Sequence, residues 1–139
     1  MTKKRVLILC TGNSCRSQMA EALIHHKRGD TWQAFSAGTT PADQPNPHAL
    51  RALSEIGIKT DGSKPQFVSD FQGQNFDIVI TLCDNAATIC PDFPGATQQT
   101  HISFPDPIDA TGTDEDIMAA YREVCNGLNE KILKYLDTL

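Results

Sequence analysis

Positive charge is scarce in this chain. Its 139 residues hold 12 Lys and Arg against 17 Asp and Glu, a net charge of −5. Nucleic acid and anionic membrane surfaces are gripped through basic patches, so neither is expected as a main partner. A small anion stays compatible, because a local site can be positive inside an acidic protein. Long hydrophobic runs are missing too: nothing approaches the roughly 20 apolar residues that a membrane span needs. The basic start Met1-Thr2-Lys3-Lys4-Arg5 is followed only by Val6 to Leu9 before polar residues begin. A secretory signal requires an apolar core of about 7 residues or more, so none is expected. The expected compartment is the reducing cytoplasm.

Metal-ligand spacing is lacking as well: neither C-x2-C nor H-x3-H occurs, so metal binding is a minor reading and none is expected. In a reducing compartment the five cysteines are not a structural disulfide framework. They are core thiols, metal ligands or redox groups. There is no internal repeat, low-complexity segment or second domain, and residues 1–139 are expected to form a single domain. A monomer is the default expectation.

What is present is an alternation of strand-like and helix-like segments. Arg5 to Leu9 reads as a buried strand. Ser17 to Lys27 reads as a helix, with Met19, Ala20, Leu23 and Ile24 at helical spacing and Gly29-Asp30 ending it. Trp32 to Ser36 is a second strand, running into Ala37-Gly38. Thr39 to Pro47 carries three prolines and reads as a loop. Pro47 suits a helix N-terminus, with the helix at His48 to Ile56, closed by Gly57. A short extended piece at Ile58 to Thr60 leads into Ser63 to Asp70, a loop with a turn of helix. Phe76 to Leu82 is the clearest strand. Cys83 to Gln99 contains Pro91, Pro94 and Gly95 and reads as an extended loop. Thr100 to Phe104 is a last short strand. Thr113 caps a long C-terminal helix, with Glu115 and Asp116 in its first turn. Ile117, Tyr121, Val124, Leu128, Ile132 and Tyr135 form its apolar stripe. The alternation predicts an α/β fold: a central four-stranded parallel sheet flanked by helices on both faces. Such sheets bind ligands at the carboxyl ends of their strands, where the strand order reverses. Cys10, Ser36, Cys83 and Asp106 all fall at or just beyond such ends.

The stretch Cys10-Thr11-Gly12-Asn13-Ser14-Cys15-Arg16-Ser17 joins the first strand to the first helix. Backbone N–H groups of a tight loop and a helix N-terminus converge on one concavity and favour negative charge. Gly12 supplies backbone freedom there, and Asn13 tolerates a left-handed conformation. Arg16 offers a bidentate fork to two oxyanion oxygens. The same field favours a thiolate at Cys10, and a Ser17 hydroxyl can hydrogen-bond it. Thr11 to Arg16 thus read as a loop for a tetrahedral oxyanion, with Cys10 as nucleophile. Alone, this fits phosphate as well as arsenate.

The C-x5-R-S signature at the N-terminus of an α/β chain of this size resembles the low-molecular-weight phosphotyrosine phosphatase fold. Cys10 to Glu21, Cys-Thr-Gly-Asn-Ser-Cys-Arg-Ser-Gln-Met-Ala-Glu, is similar to the thioredoxin-coupled arsenate reductases on that fold. The likeness continues in order through Phe35 to Gly38, Thr81 to Cys83, Cys90-Pro91 and Asp106-Pro107, and so spans nearly the whole chain.

The resemblance implies reduction of arsenate to arsenite for arsenic detoxification by a three-cysteine relay. Cys10 attacks arsenate; Cys83 attacks the adduct, giving Cys10–Cys83; Cys90 then gives Cys83–Cys90, presented to thioredoxin. No bound cofactor is implied. Glutaredoxin with glutathione is the alternative donor, and phosphate or sulfate would act as analogues of the substrate. Cys15 matches no relay position, and Cys125 is expected to pack. The resemblance also places the general acid at Asp106. Two departures stand out. Pro105 precedes this acid where relatives often have aspartate. Ile108 follows Asp-Pro where phosphatases usually carry aromatics, and both tyrosines lie in the last helix. These weaken the alternative, a phosphatase acting on aryl or tyrosine phosphate, and leave phosphatase turnover as a weak side activity. Some relatives bind potassium through groups matching Asn13, Glu21 and Ser36 plus a Thr-x-Asp. At that last place this chain reads Ser63-Lys64-Pro65-Gln66. The expectation is that the Lys64 ammonium replaces the cation and supports the Asn13 network.

Overall fold

The uninterrupted apolar run Val6 to Leu9 builds the first strand, β1 (Lys4–Cys10), buried on both faces at the centre of the sheet. The structure is a computed structural model that describes residues 3–10, 15–38, 42–59, 64–82, 95–102, 104, 107 and 110–139. Helix α1 follows at Arg16–Arg28, strand β2 at Trp32–Gly38, and helix α2 at Pro47–Glu55. A 3-10 turn at Val68–Phe71 leads to strand β3 at Ile78–Thr81, strand β4 at Gln99–His101 and helix α3 at Asp114–Leu136. All strand pairs are parallel, in the order β2-β1-β3-β4. The chain therefore leaves β1 to one side and returns to its other side. The strand order reverses at the carboxyl end of β1, where Cys10 stands.

The period of two sorts β1 between two cores. Val6, Ile8 and Cys10 face one way and pack with Met19, Leu23 and Ile24 of α1, Leu53 of α2 and Met118 and Leu128 of α3. Leu7 and Leu9 face the other way, against Phe71, Phe76 and Val79. Each fully buried Leu or Ile contributes about 1.5–3 kcal/mol. Among the described residues the three α-helices thus share one face, and the 3-10 turn covers the other. None of these helices is long and apolar enough to cross a membrane.

Local chemistry fixes the helix ends. Asn46 caps α2 by accepting the His48 N–H at 2.9 Å, and Pro47 occupies the first turn, so α2 starts one residue earlier than the sequence suggests. Thr113 and Asp116 form a reciprocal capping box at α3. Gly112 precedes it at φ +116°, and a Cβ there would lie 2.6 Å from Asp116 Oδ2. The apolar face of α3 is wider than its expected stripe. Met118, Cys125, Leu133 and Leu136 are buried too, while Ile117 and Tyr135 are half-buried. A helix that meets both α1 and α2 and shares the core with β1 must be apolar over more than one row.

The last strand is shifted. It was expected at Thr100 to Phe104 but pairs with β3 over Gln99–His101, in the register Val79↔Gln99 to Thr81↔His101. The hydrogen bonding nevertheless continues past its end: Ile102 N–H donates to Thr81 O and Phe104 N–H to Leu82 O, both at 2.9 Å. Likewise β3 is shorter than the expected Phe76 to Leu82. The Asp77 carboxylate leaves the ladder to accept Arg5 N–H at 2.7 Å.

Candidate active site at the carboxyl end of β1

Cys10 is the last residue of β1 and is buried. Its Sγ lies 3.0 Å from Ser17 Oγ in the first turn of α1. No acidic residue occupies that first turn, whereas His25, His26, Lys27 and Arg28 crowd the last. The basic last turn suits the helix dipole, and the lack of an acid in the first leaves the N-terminal end positive beside Cys10. Arg16 opens the helix and is only 7% exposed. Its Nη1 donates to Phe104 O at 3.0 Å, which pins the guanidinium to the segment following β4. A buried thiol with its hydroxyl partner and a buried cation thus lie at the end of β1 and the start of α1, where the strand order reverses.

Glu21 lies one turn beyond Ser17 on α1. It accepts hydrogen bonds from the Ser36 hydroxyl and backbone N–H on neighbouring β2. Burial pushes its carboxyl up to about 7, against the pull of those two bonds. The carboxyl therefore takes up its proton near neutrality.

Lys64 is exposed. Two residues on, Gln66 O accepts the Gly38 N–H at 2.8 Å, which ties this segment to the carboxyl end of β2. Of the expected site residues, the structure brings Cys10 against Ser17 and Glu21 against Ser36, and holds Arg16 on Phe104 O. Cys15 is buried at the N-cap of α1. Thr11, Gly12, Asn13, Ser14, Cys83, Cys90 and Asp106 lie outside the described residues. Cys125 packs in the core, and burial pushes its thiol up. Among the described residues no group of three His, Cys, Asp or Glu side chains is gathered to hold a metal. His25 is structural: its Nε2 accepts Ala34 N–H at 3.1 Å, and burial lowers its pKa.

Two features escaped the sequence reading. The first is the Phe104 carbonyl that holds Arg16, invisible because every residue carries a carbonyl. The second is a 2.6 Å hydrogen bond between Thr81 Oγ1 and His101 Nδ1, across the ends of β3 and β4. A histidine in a terminal strand gives no hint of that pairing until the register is known.

The low molecular weight phosphotyrosine protein phosphatase family model matches residues 5–139. An arsenate reductase from Halalkalibacterium halodurans is 41% identical over 138 residues, covering 99% of each chain. Among solved structures, an arsenate reductase from Archaeoglobus fulgidus is 30% identical with a TM-score of 0.72, covering 95% of this chain and 98% of its own. A thioredoxin-dependent arsenate reductase from Corynebacterium glutamicum is 26% identical with a TM-score of 0.70, covering 99% of this chain and 64% of its own.

Proposed function

The chain belongs to the low molecular weight phosphotyrosine protein phosphatase family, and from its full-length likeness to arsenate reductases we propose that it reduces arsenate to arsenite. The observation that carries the nucleophilic half is the Cys10–Ser17 contact beside buried Arg16. Cys83 and Cys90 select a reductase over a phosphatase, because hydrolysis needs one cysteine and reduction of arsenic(V) needs two electrons.

In the proposed sequence Arg16 and the loop N–H groups hold arsenate against Cys10. The Cys10 thiolate attacks arsenic, and an oxygen departs as water after protonation by Asp106. The Cys83 thiolate then attacks Cys10 Sγ. The sulfur–arsenic bond breaks with its electron pair going to arsenic, which leaves as arsenite. Cys10–Cys83 is the disulfide formed, so two thiols are oxidised as arsenic is reduced by two electrons. Ser17 donates to the Cys10 sulfur and steadies it as thiolate. Cys90 next attacks Cys83, releasing the Cys10 thiolate and forming Cys83–Cys90. Thioredoxin reduces that disulfide by the same exchange. The backbone supports the first encounter: Leu82 N–H donates to Leu9 O at 2.9 Å, and Cys83 and Cys10 are the next residues in sequence. Arsenate turnover coupled to thioredoxin tests this reading; hydrolysis of aryl phosphate alone would favour the phosphatase.

At the place of the relatives' Thr-x-Asp this chain carries Ser63-Lys64-Pro65-Gln66, which holds no carboxylate, so a complete potassium cradle does not fit this chain. The Ser36 hydroxyl, moreover, is already donated to Glu21. Lys64 is proposed to support the Asn13 network in place of the ion. Turnover is expected to agree within about twofold between potassium and sodium buffers of equal ionic strength, which screen charges alike. Marked activation by potassium would sink the role of Lys64.

A further inference from the structure

Gly127 sits in the middle of α3, where alanine would favour the helix more. A Cβ at this position would lie 3.2 Å from Phe104 Cε1 and 3.7 Å from Cδ1. The missing side chain is thus replaced by the edge of the Phe104 ring. That ring is 6% exposed, and Lys131 Nζ stands 5.6 Å from its centroid. The backbone of the same residue is held at both of its polar groups. Its N–H donates to Leu82 O at 2.9 Å, and its carbonyl accepts Arg16 Nη1 at 3.0 Å. Phe104 therefore joins α3, the end of β3 and the site arginine.

A guanidinium is a planar, rigid fork. A bond at one nitrogen fixes the direction of the others, so a small displacement of the Phe104 carbonyl turns the whole group. We propose that Phe104, seated in the notch left by Gly127, is a positioning residue that aims Arg16 at the oxyanion. This rests on the reading of Arg16 as an oxyanion ligand. The ring sets the carbonyl, the carbonyl sets Nη1, and helix α3 thereby acts on a site it does not enter. In sequence Asp106 follows two residues later, so the same segment bears the proposed acid.

The test is Gly127→Ala, with inorganic phosphate as the binding probe and arsenate as substrate. A glycine with no positioning task would become alanine with an unchanged or higher Tm and unchanged binding. The expected result is a retained or higher Tm with phosphate binding and arsenate KM weakened by about tenfold, and kcat lowered by no more than about threefold. In the double variant Gly127→Ala with Phe104→Leu, the smaller side chain relieves the contact and recovers part of the lost affinity, a non-additive rescue. Phe104→Leu alone, which adds no bulk to α3, is expected to weaken phosphate binding by about threefold through loss of the seat. Wild-type phosphate affinity in both single variants would overturn the proposal. Arg16→Lys separates it from its premise: if that variant binds phosphate as well as wild type, the reading of Arg16 itself falls.

Discussion

Cys83→Ser is expected to lose arsenate reduction by at least about a thousandfold while hydrolysis of a small aryl phosphate stays within about threefold of wild type. The split follows from electron counting. Hydrolysis at phosphorus moves no net electrons and ends when water attacks the Cys10 adduct. Reduction must draw two electrons from sulfur, and a serine at position 83 cannot attack Cys10 Sγ to form a disulfide. The groups proposed to bind the oxyanion and hold the nucleophile are untouched, because the Cys10–Ser17 and Arg16–Phe104 contacts do not involve residue 83. Both activities are measured on one preparation: arsenite release in the presence of reduced thioredoxin, and phenolate release from the aryl phosphate. Equal loss of both would contradict the relay.

Cys10→Ser is expected to lose both activities, each by about 10⁴-fold or more, since a serine hydroxyl is a far weaker nucleophile than a cysteine sulfur. The fold should hold, because serine places an oxygen where sulfur now faces Ser17 Oγ at 3.0 Å and that polar contact can be remade. Phosphate affinity should stay close to wild type, as Arg16 and the helix N-terminus remain. Binding and melting curves that match wild type, beside absent turnover, are the expected pattern. Residual hydrolysis above a hundredth of wild type would remove Cys10 from the nucleophilic role.

Much of the sheet was readable from its periods. The apolar run Val6 to Leu9 marked β1, and the helical spacing of Met19, Ala20, Leu23 and Ile24 beyond it placed the oxyanion loop between strand and helix. Cys10, Arg16 and Ser17 flank that junction; Cys10 and Ser17 meet there, and Arg16 is held on Phe104 O. Cys125 reads as a packing residue because it sits within the last helix, and it is buried there. The end of the sheet was less legible. β4 is three residues long, with exposed Gln99 and His101, so its hydrophobic pattern was too weak to set its limits. Its position follows from register with β3, a long-range property that no local window holds. Gly127 is an extreme case: in sequence it is only a poor helix former, and its value appears once the Phe104 ring is seen against it. The resemblance points to Glu21 only as a group matching a cation ligand; its burial and its two bonds to Ser36 depend on β2 lying against α1.

The most direct test of the relay is arsenate-dependent NADPH oxidation by the full chain with thioredoxin and thioredoxin reductase, run beside the same assay with glutathione, glutaredoxin and glutathione reductase. Sustained, stoichiometric oxidation with thioredoxin, with one arsenite formed per NADPH and far less with glutaredoxin, is the predicted result. Aryl phosphate hydrolysis with no arsenate-dependent NADPH oxidation in either system would contradict it.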